Sequence, residues 1–299
     1  MEDIMFHMKL NNSPTSKVQY NGFTFYVKRD DLLDSRFNGN KARKLYSFLT
    51  HSLDDIDTII SYGGVQSNAM YAISELAKLK QKKFIYYIKQ LNKTIQVNNT
   101  SNYLLSVQNG MQTLELLNNY TMVTQNLSAK PHELIIKQGG AEDYAKHGLQ
   151  QLANEINDWF ISNNFKKLNV FIASGTGTSA IYLQQYLHHN ITLYTANCVG
   201  SPEYLFQQWN TLGFYSNYPQ ILANTKYRFA NLYPELLITM LNIQQQTNIE
   251  FDLLYDSVSF QLIMENLPIF TDKPFLYIHC GGTVGNHSML QRYAHLAKK

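Results

Sequence analysis

The stretch that decides the fold is residues 169–180, which read NVFIASGTGTSA. An apolar run suited to a buried strand leads into a turn of glycines and hydroxyl side chains, and a helical pattern follows from Ala180. The same order recurs at residues 58–68, TIISYGGVQSN, and a buried strand again meets paired glycines at residues 275–285, FLYIHCGGTVG. Strands that end in glycine turns before helices are typical of α/β proteins with parallel strands.

Similar alternation extends along most of the chain. Short β-rich runs are predicted as strands, and longer segments with helical period are predicted as helices. The strands are Phe23–Val27, Thr58–Tyr62, Phe84–Ile88, Asn169–Ala173, Ile191–Asn197 and Phe275–His279, and the first helices are Lys41–His51 and Asn68–Lys80. Because ligands of such folds bind beyond the carboxyl ends of the strands, the glycine turns are the candidate sites.

The composition excludes several classes of protein. A chain of 299 residues with 44% hydrophobic and 13% aromatic residues buries a substantial core and is not intrinsically disordered. Its formal charge of +3 gives no electrostatic footprint for nucleic acid. Cys198 and Cys280 indicate neither a disulfide framework nor a zinc motif. The acidic start at Glu2 and Asp3, with no apolar run of about 18 residues, predicts a cytoplasmic protein without a membrane segment.

Residues 38–45, NGNKARKL, place Lys41 at the predicted start of a helix, directly after an Asn-Gly-Asn turn. Unpaired backbone N–H groups and the positive end of the helix dipole disfavour a further cation there. A lowered pKa would make the Lys41 amine a candidate for Schiff-base chemistry. A solvated basic helix start is the alternative interpretation.

Two of the glycine turns are candidate anion sites. At residues 174–180 the hydroxyls, the glycines and the start of a helix can bind a phosphate, and an ordinary turn is the alternative. The sequence there lacks the lysine of a Walker A loop, and residues 174–202 hold no acidic side chain for a ribose, so we expect a monophosphate. At residues 63–68 the last three amides can bind a carboxylate or phosphate, unless Ser67 or Asn68 only caps the helix.

Four motifs, in order along the chain, resemble those of one enzyme family. The matches are K-R-D-D and then G-G-N-K-x-R-K-L at residues 28–32 and 38–45, G-G-x-Q-S-N at 63–68, S-G-x-G-T at 174–178 and H-T-G-G at 279–282. Asn38 replaces one glycine, and Cys280 replaces the threonine. Residues 138–141 and 252–255 weakly match P-x-G-G-S and D-P-V-Y. The chain thereby resembles the fold-type II pyridoxal-phosphate enzymes and, within them, the 1-aminocyclopropane-1-carboxylate deaminase and D-cysteine desulfhydrase family.

The resemblance implies a fold, a cofactor and an assembly. The family has an α/β fold of two open, twisted, mostly parallel sheets flanked by helices, in a larger cofactor domain and a smaller mobile domain. On this chain the larger domain would comprise residues 1–44 and 151–299, and the smaller one residues 45–150. The family also implies pyridoxal 5'-phosphate (PLP) as the cofactor, a small amino acid as the substrate and a homodimer.

The resemblance also implies roles for individual residues. Lys41 would bind the cofactor as a Schiff base, Asn68 would donate to its 3-oxygen, and Cys280 would meet its pyridine nitrogen. The phosphate would be held by Ser174, Gly175, Thr176, Gly177, Thr178 and Ser179. The substrate would be bound by Gln66, Ser67, Asn68 and Tyr255. Lys41, Ser67 and Tyr255 are the candidate groups for proton transfer, and no metal site is expected.

Three departures from the family pattern bear on the reaction. Ala69 and Tyr71 stand where the family has His and Arg, and Cys280 stands where it has threonine. A neutral, weakly hydrogen-bonding thiol at the pyridine nitrogen would leave the ring largely unprotonated. A neutral ring favours prompt loss of a β-substituent over transamination. We therefore expect β-elimination, with D-cysteine as the leading substrate and pyruvate, ammonia and sulfide as products.

Other reactions stay open at this point. Ring opening of the cyclopropane amino acid uses the same cofactor, but its deaminases are expected to place an acidic residue at the position of Cys280. Serine dehydration or racemisation is a further alternative, as is a protein that binds the cofactor without turnover. The nine histidines include no H-E-x-x-H pair, so metal-dependent hydrolysis is disfavoured.

Overall fold

A computed structural model describes residues 12–34, 36–37, 39–91 and 101–296; Asn38, noted above, lies outside the described residues. The strands are β1 (Thr15–Tyr20), β2 (Phe23–Arg29), β3 (Thr58–Tyr62), β4 (Lys83–Ile88), β5 (Met111–Glu115), β6 (Glu133–Ile136), β7 (Leu168–Ser174), β8 (Ile191–Asn197), β9 (Gln220–Leu222) and β10 (Phe275–His279). The helices are α1 (Asn40–Lys44), α2 (Tyr46–Thr50), α3 (Asn68–Leu79), α4 (Asn102–Gln108), α5 (Tyr120–Gln125), α6 (Ala145–Ser162), α7 (Thr178–Tyr186), α8 (Pro202–Thr211), α9 (Pro234–Thr247), α10 (Asp256–Glu265), α11 (Pro268–Thr271) and α12 (Asn286–Leu296). Every strand named from the sequence is present.

The larger sheet has six strands in the order β1-β2-β10-β7-β8-β9. β1 and β2 pair antiparallel, and every other pair in this sheet is parallel. Side chains of β7 alternate between two clusters, because Phe171 packs with Tyr277 on one face while Val170 and Ile172 pack on the other. The predicted apolar runs are therefore strands buried on both faces, as parallel sheets require.

The smaller sheet has four parallel strands in the order β5-β4-β3-β6. Helix α3 packs in the same cluster through an apolar face that includes Met70, Ile73 and Leu76. Two mostly parallel sheets flanked by helices confirm the predicted fold class. All four strands fall within residues 45–150, and the predicted boundaries and mobility of that domain stay predictions.

One predicted helix differs from the structure. The stretch Lys41–His51 forms two short helices, α1 and α2, because the backbone of Leu45 leaves helical geometry at φ −92° and ψ 5°. Tertiary contacts hold α1 in place. The Cys280 carbonyl accepts from the Asn40 N–H at 2.9 Å, and a Cβ on Gly148 of α6 would clash with the backbone of α1. Packing thus overrides the helical period of the sequence.

The carboxyl ends of β2, β7 and β10 meet at one edge of the larger sheet, because these strands are parallel neighbours. The 174–178 turn follows β7, the paired glycines follow β10, and the segment with α1 follows β2. Three of the motifs therefore converge at this edge. None of the helices in the described ranges has both the length and the apolar character needed to cross a bilayer.

Candidate active site

A cavity of about 570 Å³ lies at this edge of the sheet. Every residue that the sequence analysis assigns to the site lines it, namely Lys41, Gln66, Ser67, Asn68, Ser174, Gly175, Thr176, Gly177, Thr178, Ser179, Tyr255 and Cys280. Such a volume is ordinary for a cofactor or small-molecule site. The structure thus brings these residues together from widely separated segments, while their chemical roles stay predictions.

Lys41 is half-buried in the wall of this cavity, and its amine donates to Asn40 Oδ1 at 2.7 Å. Burial lowers the pKa of Lys41, and the thiol of Cys280 and the carboxyl of Asp252 only partly oppose that effect. The direction agrees with the sequence analysis, but the cause differs. With only five residues, α1 contributes a weak dipole, so the loss of water rather than the helix start favours the neutral amine.

The backbone at the start of α1 requires glycine. Gly39 has a φ of 70°, in the left-handed region, and a Cβ there would clash with the carbonyl of Cys280. That carbonyl accepts from Asn40, so the end of β10 and the start of α1 are joined. Lys41 and Cys280 are held on the same wall as a result.

A buried network of ion pairs fixes the opposite side of α1. Arg43 is fully buried and contacts Asp30 at 2.9 Å and Glu155 at 2.7 Å. Glu155 also contacts Lys28 at 2.8 Å. The network holds two cations and two anions, so its charges balance. Lys28 and Asp30 belong to the first sequence motif, and they support the helix that carries Lys41 instead of lining the cavity.

The loop after β7 provides the donors expected of a phosphate site. Gly177 is left-handed at φ 72°, its carbonyl accepts from Trp209 Nε1 at 3.0 Å, and a Cβ there would clash with the indole. The Ser179 hydroxyl is buried without a hydrogen-bond partner in the described part of the chain. The first turn of α7 adds backbone N–H groups that have no acceptor within the helix. The Ser174 hydroxyl, in contrast, bonds to Thr195 at 2.7 Å and serves the sheet.

The loop after β3 caps helix α3 and also lines the cavity. Ser67 caps α3, accepting from the N–H groups of Ala69 and Met70, and its own N–H donates to Gly64 at 3.1 Å. The Ser67 hydroxyl therefore caps the helix and its N–H belongs to the turn, while the expected role of Ser67 towards a substrate stays a prediction. Asn68 Oδ1 accepts from Asn102 at 2.8 Å, which fixes the orientation of its amide.

Tyr255 and Cys280 both hold their protons at neutral pH. Burial raises the pKa of each, and the nearby carboxyl of Asp252 or Asp256 raises it further. The Tyr255 ring lies over the loop after β7, and its nearest atom is 3.3 Å from the position that a Cβ on Gly175 would occupy. Tyr255 is therefore suited to donate a hydrogen bond, and the Cys280 thiol is the neutral group that the sequence analysis expects.

The sequence analysis missed two groups that line the cavity, Lys44 and Asp256. The Lys44 amine is buried and donates to the Gly139 carbonyl at 2.8 Å, and burial together with the charge of Lys41 places its pKa well below the usual range. Burial raises the pKa of Asp256 to about 6. Lys44 lies three residues after Lys41 and therefore on the same face of the helix. This spacing could have identified Lys44 as a cavity residue from the sequence.

Comparisons with known proteins bear on the fold and the family of the chain. No protein-family model matches the chain. A proposed 1-aminocyclopropane-1-carboxylate deaminase of Thermotoga maritima is 28% identical over 165 residues, which cover 53% of this chain and 53% of the relative. The chain therefore matches this curated relative over about half of its length.

Solved structures share the fold over nearly the whole chain. An ACC (1-aminocyclopropane-1-carboxylate) deaminase homologue superposes with a TM-score of 0.73 at 19% identity, covering 97% of this chain and 99% of the other. A hydrogen sulfide-producing enzyme of Fusobacterium nucleatum gives 0.62 at 12% identity, with 95% and 99% covered. A PLP-dependent aspartate racemase gives 0.61 at 11%, with 90% of each chain covered. The curated relative and the shared fold agree with the resemblance of the motifs to the ACC deaminase family of fold-type II PLP enzymes.

Proposed function

We propose that the chain binds PLP at Lys41 and catalyses β-elimination on D-cysteine, releasing pyruvate, ammonia and sulfide. One observation carries the proposal. An amine of lowered pKa lies in the same cavity as a hydroxyl-rich helix start that has the donors for a phosphate. These are the two ends of PLP, an aldehyde that condenses with a neutral amine and a phosphate that needs N–H and O–H donors.

The residues present fit this cofactor. Ser179 offers a buried hydroxyl that lacks a hydrogen-bond partner among the described residues. Gly175 and Gly177 have no side chains, which leaves room for a phosphate to reach the start of α7. The Lys44 amine lines the same cavity, and a bound phosphate would restore its charge. Among the described residues, no three His, Cys, Asp or Glu side chains are grouped to hold a metal ion.

PLP, when bound, withdraws electrons from Cα of an amino acid and makes the α-proton acidic. The chain supplies the groups that move protons. The Lys41 amine, which burial favours in its neutral form, takes the α-proton, and Tyr255 donates a hydrogen bond to the substrate. The Cβ–S bond then breaks, and the sulfur leaves with the bonding electrons. Water hydrolyses the remaining product to pyruvate and ammonia.

The preference for β-elimination over transamination rests on the environment of Cys280. Its raised pKa keeps the thiol neutral, and the thiol donates to the Ile278 carbonyl at 3.7 Å. A neutral partner at the pyridine nitrogen supports loss of a β-substituent. The hydrogen sulfide-producing enzyme of Fusobacterium nucleatum has the same fold, and this likeness concerns the fold alone.

A second candidate is ring opening of the cyclopropane amino acid, and Asp256 is the observation that favours it. This carboxyl lines the cavity, and its charge acts on the Cys280 thiol. The acidic group expected for a deaminase is therefore close to position 280, although it comes from another segment. The Thermotoga relative carries the deaminase name.

The test uses purified protein saturated with PLP. Borohydride should trap the cofactor on Lys41, as peptide mapping by mass spectrometry would show, and trapping on any other lysine would contradict the proposal. A panel of D-cysteine, L-cysteine, D-serine, L-serine and the cyclopropane amino acid then separates the reactions. Sulfide and pyruvate from D-cysteine support elimination, whereas ammonia from the cyclopropane substrate alone supports ring opening.

The homodimer that the resemblance implies stays a prediction, which light scattering would test.

A further inference from the structure

Three cationic side chains line the cavity, and the proposed cofactor accounts for two of them. Lys41 would condense with the PLP aldehyde, and a bound phosphate would restore the charge of Lys44. Arg292 is the third cation, and the proposed reaction of D-cysteine makes no use of it. Asp256 is the one carboxyl among the described residues of this lining, so positive groups outnumber negative ones. An unused cation in a cavity favours a ligand with a further anionic group.

Arg292 belongs to one face of α12, and this face runs along the cavity. The lining residues of this segment have the i, i+3, i+4 and i+7 spacing of a helical face, namely Gly285, Ser288, Met289 and Arg292. The face begins beside Asn68, because a Cβ on Gly285 would stand 3.9 Å from Asn68 Oδ1. About two helical turns, or about 10 Å, separate Gly285 from Arg292 along the axis. Arg292 therefore lies at the far end of this wall from Asn68.

Two contacts hold the Arg292 guanidinium at the cavity. Its Nη1 lies 3.0 Å from the Met289 sulfur, about one turn earlier on α12, so the side chain folds back toward the start of the helix. Its Nη2 donates to the Ala230 carbonyl at 2.8 Å. Ala230 also lines the cavity and has a φ of 61°, a left-handed conformation that is unfavourable for alanine. The guanidinium is thus positioned before any ligand binds.

The guanidinium keeps donors for an anion, and its surroundings in the lining are apolar. It has more N–H groups than these two contacts use. Within the described part of the chain, no carboxylate forms an ion pair with Arg292. Met289 and Leu254 pack in one cluster, and the Phe229 ring packs against Tyr255 at 5.3 Å. A short apolar chain that ends in a carboxylate matches this wall.

We propose that Arg292 is a specificity residue that binds an anion on the leaving group of the substrate, so that the preferred substrates are cysteine S-conjugates that end in a carboxylate. This inference deepens the proposed β-elimination and rests on it. The Lys41 amine takes the α-proton, the Cβ–S bond breaks, and the sulfur leaves with the bonding electrons as a thiolate that keeps the carboxylate. Water hydrolyses the remaining product to pyruvate and ammonia. D-Cysteine itself ends at the sulfur and makes no use of Arg292.

The test compares two substrates of nearly equal size that differ in charge. S-Carboxymethyl-D-cysteine ends in a carboxylate, and S-carbamoylmethyl-D-cysteine ends in a neutral amide. We expect the wild-type kcat/KM, measured by pyruvate formation, to favour the carboxylate by about tenfold, through KM more than kcat, because the ion pair to Arg292 forms when the substrate binds. Arg292→Met should abolish this preference, whereas Arg292→Lys should keep part of it.

A purely structural role of Arg292 predicts a different result. If Arg292 only holds the loop at Ala230, Arg292→Met lowers kcat/KM for both conjugates and for D-cysteine by the same factor, and that result would overturn the inference. Arg228 is an exposed arginine of the same loop and lies outside the lining of the cavity. Arg228→Met is therefore the matched control, and it should keep the preference for the carboxylate.

Calorimetry separates this inference from the proposed function and needs no Arg292 variant. The Lys41→Ala chain saturated with PLP, in which turnover is expected to be lost, should bind the carboxylate conjugate about tenfold more tightly than the amide. Equal affinities would contradict the role of Arg292. If the wild-type chain turned over neither D-cysteine nor the two conjugates, the proposed function would be wrong instead, and the two affinities would still test Arg292.

Discussion

Two groups of buried charges meet at α1, and they differ in how their charges are paired. The paired cluster consists of Lys28, Asp30, Arg43 and Glu155, whose ionic contacts range from 2.7 to 2.9 Å. The open cluster consists of Lys41, Lys44, Asp252 and Asp256. In the open cluster the amines donate to uncharged oxygens and the carboxyls accept from uncharged donors. Both clusters hold two bases and two acids.

This difference separates charged groups that stabilise the fold from groups that can exchange protons during a reaction. In the paired cluster, burial opposes the charged forms, but the charge of Asp30 and the contacts between Arg43 and Glu155 outweigh it, so the pKa of Arg43 rises and that of Glu155 falls. The charges of Arg43 and Glu155 are therefore fixed at physiological pH. In the open cluster burial is only partly offset, so the pKa of Lys41 falls and that of Asp252 rises to about 7. The pKa of Asp256 rises to about 6 although His279 Nδ1 lies 3.6 Å away, and carboxyls that titrate in this range are suited to proton transfer.

The largest expected effect is the loss of activity in Lys41→Ala, which removes the reactive amine from the open cluster. We expect turnover of D-cysteine to fall by at least ~10³-fold, because nucleophilic and general-base roles are lost together. Thermal stability should not fall, since the deleted amine is desolvated in the folded protein. Lys78→Ala, at an exposed position on α3, is the matched control and should keep full activity. Retention of a tenth of the wild-type rate in Lys41→Ala would contradict the assignment.

Arg43→Met tests the paired cluster by breaking it. The change leaves Asp30 buried without its cation, so we expect a loss of about 3–5 kcal/mol in the free energy of unfolding, measured with urea. Lys226→Met removes one partner of an exposed pair, in which the side chains of Lys226 and Glu235 are 59% and 39% exposed. That control should cost less than about 1 kcal/mol. Equal losses in the two variants would mean that the paired cluster does not stabilise α1.

The sequence predicts the open cluster only in part, and the reason is physical. The glycine turn at 174–178 and the lysine after Asn-Gly-Asn are local patterns, so strand, turn and reactive amine could be placed from neighbouring residues. The state of Asp252 depends on its burial in the folded chain, beside Gly282 from a distant segment. Only the fold shows that one of its carboxyl oxygens is buried without a hydrogen-bond partner among the described residues. The break at Leu45 has the same origin, because packing against α6 and β10 decides it.

The pH dependence of stability provides a smaller effect that distinguishes a free carboxyl from a paired one. The folded pKa of Asp252 lies at about 7, above the ordinary value of about 4 for an unfolded chain. Its contribution to stability is therefore complete below about pH 4 and is lost as the pH rises through 7. In Asp252→Asn that loss disappears. The variant should match the wild type more closely at pH 5 and exceed it by about 1–3 kcal/mol at pH 8.

Chemical denaturation of the PLP-free chain at both pH values measures this difference. Asp34→Asn is a suitable contrast, because hydrogen bonds from Arg36 outweigh burial and lower the pKa of Asp34. A lowered pKa has the opposite sign, so this variant should be less stable than the wild type above pH 4. A difference between Asp252→Asn and the wild type that does not grow with pH would mean that Asp252 is already ionised in the folded chain at pH 5.

The smallest effect extends the comparison to two uncharged hydroxyls, one at the end of β7 and one at the start of α7. The Ser174 hydroxyl is paired with Thr195, whereas the Ser179 hydroxyl has no partner in the described part of the chain. Ser179→Ala should therefore weaken PLP binding by about 5–10-fold, because one hydrogen bond to the phosphate is lost. The melting temperature of the PLP-free chain should stay unchanged. Ser174→Ala should lower that melting temperature and change PLP affinity less. Fluorescence titration and thermal unfolding measure the two quantities. If Ser179→Ala lowered the melting temperature while PLP affinity stayed at the wild-type value, the hydroxyl would serve the fold and the phosphate would be held by backbone N–H groups alone.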